Sequence, residues 1–123
     1  MTLGLALAVA AACGLAASAR YALSLAATGA FPWPTVVVNT AGAALLGWAL
    51  AAHAAGDLGA SALAVVGAGL AGGLSTFSTL AVDAVRLANE RLWRLFWAYL
   101  ALTVVLGLAA SWAAWTVTSL ASG

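Results

Sequence analysis

The sequence predicts an all-α membrane protein: four transmembrane helices in one domain covering residues 1–123, with the third helix broken near its centre. Three observations carry this. Hydrophobic residues make up 66% of the chain and charged residues 6%, with a mean hydropathy of +1.12. A soluble domain of this size buries only about two thirds of the surface its unfolded chain exposes, too little to hide so much apolar area. The apolar residues also fall into four stretches, each near or above the roughly 20 residues that cross a bilayer as helix. Finally, Gly72 and Gly73 in the third stretch are followed at once by Ser75, Thr76, Ser78 and Thr79. Each glycine weakens a helix by about 1 kcal/mol relative to alanine, and the four hydroxyls come at hydrocarbon depth.

The first helix covers about Leu3 to Leu25. No Lys or Arg precedes its apolar run, the pattern of a retained membrane helix rather than a cleaved secretory signal. Ala10, Gly14 and Ser18 recur every four residues and form a small-residue face that admits another helix closely. Arg20 and Tyr21 lie near its far end. An arginine in that position reads first as a snorkelling interface anchor; the alternative is a fixed charge that pins a neighbouring backbone or draws anions. Thr28, Gly29, Phe31, Pro32 and Pro34 make the first loop, because a residue before proline is disfavoured in helix.

The second helix covers about Thr35 to Ala54 and carries Asn39 in its first turns. An intramembrane amide is costly unless bonded, so Asn39 faces protein or water. Interhelical bonding and a place on a pore wall stay equally open from its position alone. His53, Gly56, Asp57 and Gly59 form a polar turn, with His53 a loop residue without chemistry.

The third helix runs from about Ala60 to Leu87, broken near Gly72–Ser75. Gly69 and Gly73 form a G-x-x-x-G pair whose ordinary use is close helix packing. That does not account for the hydroxyls that follow. Non-helical backbone at membrane depth is tolerated only inside protein or against a wet cavity, so the segment reads as polar groups and one ring, Phe77, presented to an ion pathway. Asp83 lies near the interface, and Arg86, Glu90, Arg91 and Arg94 occupy the next loop.

The fourth helix covers about Leu92 to Leu120. Trp93 and Trp97 at one end and Trp112 and Trp115 at the other match the aromatic belts of both interfaces. Tyr99, Thr103, Gly107 and Ser111 recur every four residues, a stripe that meets water or a polar strip of protein.

Both termini fall on one side. All four arginines lie near the loops joining helices 1–2 and 3–4, which makes those ends cytoplasmic by the positive-inside rule. Four helices of this length enclose no substantial pore, so oligomerisation through the small-residue faces is expected. A single cysteine, Cys13, excludes an internal disulfide and reads as a packing residue. One His and one Cys build no transition-metal site within a chain. No nucleophile–base–orienter set and no phosphate-binding loop is present, so no enzyme is expected. A net charge of +1 without a basic run gives nucleic acid no electrostatic footprint.

Three motifs in order give the chain a resemblance, over its whole length, to the Fluc/CrcB fluoride channels. They are Cys13-Gly14-Leu15-Ala16-Ala17-Ser18-Ala19-Arg20-Tyr21, Thr35-Val36-Val37-Val38-Asn39-Thr40-Ala41-Gly42, and Gly72-Gly73-Leu74-Ser75-Thr76-Phe77-Ser78-Thr79-Leu80. The third is the most specific. The resemblance implies a passive, fluoride-selective channel in the bacterial inner (cell) membrane, working as an antiparallel dual-topology dimer with two narrow pores. It also implies a structural sodium ion at the dimer centre, held by the backbone carbonyls of Gly72 and Ser75. Phe77 matches the pore ring whose edge meets fluoride, Asn39 the pore amide, Thr79 part of a polar track and Arg20 the arginine of the first motif. Tyr99, Thr103 and Ser111 are candidates from helix 4, and Asp83 aligns with an acidic residue at the pore mouth. Leu80 stands where the family has a second phenylalanine, Cys13 and Ala16 replace glycines, and Ser75 replaces a threonine. A homodimer is expected first. Some members work as two different subunits, and the arginine asymmetry with Leu80 is what one such half would look like.

Two other classes compete. A small multidrug-type exporter needs an acid in its first helix, which has none. A structural membrane subunit leaves the Ser75–Thr79 cluster unexplained.

Overall fold

The computed structural model describes residues 2–123. Helix α1 is Leu3–Ser24 and α2 is Trp33–Ala54; the third span consists of α3, residues 60–74, and α4, Phe77–Asn89; α5 is Trp93–Ala121. These make four apolar spans of 22, 22, 30 and 29 residues. At 1.5 Å per residue even the shortest reaches about 33 Å, the thickness of a hydrocarbon core.

Boundaries follow local chemistry. The Thr2 hydroxyl caps α1 by accepting from the Leu5 N–H at 3.3 Å. Helix α2 begins at Trp33, two residues before the expected start, with Pro34 inside its first turn. There the missing N–H of proline leaves nothing unbonded. In the loop between them Gly29 has φ of 79°, a left-handed conformation that glycine adopts freely.

Helix α3 is not uniform. Ala60–Leu63 is α-helical, whereas Ala64–Ala71 is wound as a π-helix with i→i+5 bonds. The Gly72 N–H reaches back to the Gly67 carbonyl in that pattern. Such widened turns are rare and concentrate at functional sites. Nothing in the apolar sequence Ala-Val-Val-Gly-Ala-Gly-Leu-Ala announces it.

Close packing is made by glycines. A Cβ on Gly69 would sit 2.8 Å from the Ala12 Cβ, and one on Gly73 would sit 2.5 Å from the Cys13 carbonyl oxygen. The G-x-x-x-G pair therefore brings α3 against the Ala12–Ala16 face of α1, with Cys13 in that contact. The Ala10–Gly14–Ser18 face is on the outside of the chain, and nothing lies within 4 Å of a Cβ built on Gly14. Gly47 of α2 packs on the Ser111 backbone of α5. Towards the end formed by the 25–32 and 90–92 loops, Val36, Ala84, Leu87 and Tyr99 form a buried core flanked by Phe31 and Leu80. Large apolar side chains such as Leu7, Leu15, Leu108 and Trp112 point outward, as lipid-facing residues do. His53 bonds within its own turn, Nδ1 lying 2.7 Å from the Leu58 carbonyl.

Candidate functional site

The break in the third span is two residues long. Helix α3 ends at Leu74, and Ser75 (φ −74°, ψ 152°) and Thr76 (φ −149°, ψ 125°) are extended. Extended backbone inside a bilayer needs partners for every N–H and C=O, and they come from three helices. Asn39 of α2 makes a two-point clamp on Thr76: its Oδ1 accepts from the Thr76 N–H at 2.6 Å, and its Nδ2 donates to the Thr76 carbonyl at 3.1 Å. Arg20 of α1 donates from Nη1 to the Ser75 carbonyl at 3.2 Å. Ser75 donates both its N–H and its hydroxyl to the Ala71 carbonyl, at 3.0 and 2.9 Å. Gly42 makes room, since a Cβ there would come within 3.1 Å of the Ala71 carbonyl and of the Ser75 side chain. Thr76 then caps α4, its Oγ1 accepting from the Thr79 N–H at 3.2 Å.

Hollows flank this junction on two sides. On one side a groove of about 560 Å³ runs between α2, the break and α5, lined by Asn39, Phe77, Leu80, Thr103 and Ser111. The Phe77 ring is 81% exposed. On the other side, hollows of about 190 and 130 Å³ share Ser24, Pro34, Thr35 and Thr79. Arg20 lines the first of these, and Asp83 and Arg86 line the second. Thr76, 8% exposed, lines both the groove and the hollow beside Arg20.

The expected residues thus divide. Asn39, Phe77, Leu80, Thr103 and Ser111 share the groove, with the Thr103 hydroxyl donating to the Tyr99 carbonyl at 2.8 Å. Thr79, Arg20 and Asp83 lie on the opposite side of Thr76. Tyr99 lines none of these hollows: it is fully buried, and its hydroxyl donates to Asp83 Oδ2 at 3.3 Å. Thr35 Oγ1 donates to the same oxygen at 2.8 Å. Gly72 is exposed on the chain's outer surface, one turn before the break.

Sequence reasoning placed Thr76 only among the clustered hydroxyls, without its role as helix cap and clamp partner, and gave Thr35 no role in the site. Thr76 carried a readable signal, since threonine ahead of a helical segment is a preferred N-cap. Thr35 carried none, because its partner Asp83 is 48 residues away. Among the described residues no group of three or more His, Cys, Asp or Glu side chains could hold a metal ion.

Residues 7–115 match the family model described as CrcB-like protein, Camphor Resistance (CrcB). The chain belongs to the CrcB family. Its curated relatives include "Fluoride-specific ion channel FluC 1" of Ligilactobacillus salivarius (strain UCC118), 37% identical over 102 residues, which cover 80% of this chain and 86% of that one. The protein of the same name from Thermobifida fusca (strain YX) is 47% identical over 78 residues, 60% of this chain and 62% of the relative. That from Geobacillus kaustophilus (strain HTA426) is 41% identical over 85 residues, 69% and 67% of the two chains. The matched CrcB region contains the Asn39–Thr76 clamp, the groove with the two smaller hollows, and the whole of the broken span. With four apolar spans, this CrcB-family chain is a multi-pass membrane protein.

Proposed function

We propose that this chain is a passive, fluoride-selective channel through which cytoplasmic fluoride leaves the cell, lowering its toxicity. The observation that carries the reading is the junction at Thr76. There a helix is interrupted between two polar-edged hollows, in a chain whose relatives are named fluoride-specific ion channels.

Fluoride enters cells as neutral hydrogen fluoride, dissociates, and is retained as the anion until a channel lets it out down its gradient. That needs no catalytic step. The ion holds water tightly, so a selective path must supply close donors. Arg20 and Thr79 border the hollow on one side of Thr76, which Thr35 also lines with its hydroxyl hydrogen already given to Asp83. Asn39 has one amide hydrogen beyond the one given to the Thr76 carbonyl, and it lines the groove on the other side. Phe77 adds a ring whose edge is the positive end of its quadrupole. Leu80 stands in the same groove without that capacity.

The groove lies open on the chain's surface, which supports a second, antiparallel copy as its other wall. The sodium ion implied for such a dimer fits the donor chemistry of the break. Gly72 is exposed within the last turn of α3, where helix carbonyls have no intrahelical partner, and carbonyl oxygens suit a hard cation. The Ser75 carbonyl already accepts from Arg20, so a cation there would share it with a guanidinium. Gly72 and Ser75 would hold the ion, which when bound would fix two broken helices against each other.

Fluoride efflux from liposomes containing only this chain, with chloride as control, tests the function. Fast fluoride and negligible chloride efflux is expected, lost in Phe77→Ile at unchanged fold. The clustering of Arg86, Arg91 and Arg94 at one end favours a second reading, one half of a heterodimer held in a fixed orientation. Folded dimers that pass no fluoride would sink the homodimer and leave that reading.

A further inference from the structure

We propose that the turn joining α4 to α5 binds the phosphate of an anionic phospholipid through Arg91 and Arg94, with the exposed indoles of Trp93 and Trp97 beside them. The proposal does not rest on the fluoride reading.

Both arginines are exposed, and among the described residues neither side chain makes a hydrogen bond or ion pair. Glu90, their nearest acidic neighbour in sequence, instead lies 3.9 Å from Arg86. Arg86 in turn donates to the Ala30 carbonyl at 3.1 Å, tying α4 to the first loop. The first turn of α5 holds no acidic side chain. Among the described residues, the Arg91 and Arg94 guanidinium groups are therefore left without a bonded acidic partner.

The backbone holds Arg91 in place. Helix α4 closes with the Leu92 N–H on the Leu87 carbonyl at 2.9 Å and the Arg91 N–H on the Ala88 carbonyl at 3.0 Å. This is a Schellman motif, whose left-handed position is usually glycine. Here it is Arg91, with φ of 57°, so a cationic side chain stands where none is sterically preferred.

The surroundings indicate the occupant. Trp93 packs edge-on against Phe96 (5.6 Å, 75°) and Phe96 against Trp97 (5.0 Å, 85°). This row leaves the two indoles 52% and 65% exposed. Exposed indoles at the end of an apolar span sit at headgroup depth, where the phosphates of the leaflet are. A guanidinium fork matches a phosphate bidentately. Lipids with net negative charge complement a pair of unpaired arginines better than zwitterionic ones do. The opposite turn, residues 55–59, has no arginine, so the surface is confined to one end.

The test places the full chain in nanodiscs of phosphatidylcholine alone or with phosphatidylglycerol and reads the unfolding temperature. Phosphatidylglycerol is expected to raise the Tm of the natural chain by several degrees. That increment should vanish in Arg91→Gln/Arg94→Gln and shrink in 1 M salt. Arg91→Gly separates strain from binding: glycine takes the left-handed conformation freely, so its Tm in phosphatidylcholine should match or exceed that of the natural chain while the increment falls. Equal Tm in the two lipids, or a full increment in the double variant, overturns the proposal. An equal rise from soluble glycerol phosphate in phosphatidylcholine discs overturns the lipid as occupant.

Discussion

Asn39 uses one carboxamide to hold both backbone groups of Thr76, so a single side chain takes the place of a neighbouring strand. Its position showed that an intramembrane amide needs a partner. It did not show that the partner is peptide backbone 37 residues later, because no local periodicity links the two. Asn39→Ala leaves an N–H and a C=O of a buried residue unbonded, each costing about 1–3 kcal/mol. The expected loss is about 2–6 kcal/mol of unfolding free energy in detergent, together with loss of flux. Asn39→Asp keeps the acceptor for the Thr76 N–H but sets a carboxylate oxygen against the Thr76 carbonyl, so it should recover little. Asn39→Ala unfolding at the natural denaturant midpoint would show that the clamp does not hold the break.

At the level of elements, the four spans and the interruption were legible because each has a local signature: apolar length, a glycine pair, clustered hydroxyls. The π-helical stretch and the pairing of faces were not. The Ala10–Gly14–Ser18 stripe and the Gly69–Gly73 pair look alike in sequence, yet only the second is used within the chain. Which small residues meet depends on the rotation of each helix about its axis, which composition does not encode. The contrast gives a pair of substitutions. Gly73→Ala drives a methyl into the Cys13 backbone and should destabilise the fold by about 1–3 kcal/mol, as overpacking does. Gly14→Ala meets nothing within the chain and should leave monomer stability equal or slightly raised, alanine being the better helix former. Unfolding in detergent, at concentrations where the chain is monomeric, distinguishes them; similar losses from both would refute this packing.

For the whole molecule, a groove open to the surface and a break whose Gly72 edge faces outward are the features that the proposed second copy would cover. Charge and hydropathy made the membrane legible from the first residues onward. The resemblance, not the physics of one chain, supplied the partner. The proposed ion, shared between two broken helices, would stabilise only the associated state, by an amount that grows with the logarithm of its concentration. Replacing sodium with choline at constant ionic strength should therefore shift the monomer–dimer equilibrium towards monomer, as read by single-molecule photobleaching in liposomes. Indifference to that exchange would rule out the shared ion.

The three-helix support of the break also bears on how the chain is made. The 30-residue third span cannot satisfy Ser75 and Thr76 alone; their carbonyls are met by Arg20 and Asn39. Both of those residues precede the break in the chain, so they leave the ribosome and enter the bilayer before it does. Synthesis in this order means the interrupted segment arrives where its bonding partners already wait. A rearranged gene encoding the third span ahead of the first two would present bare peptide groups to lipid, and quality-control proteases rather than the membrane would receive it.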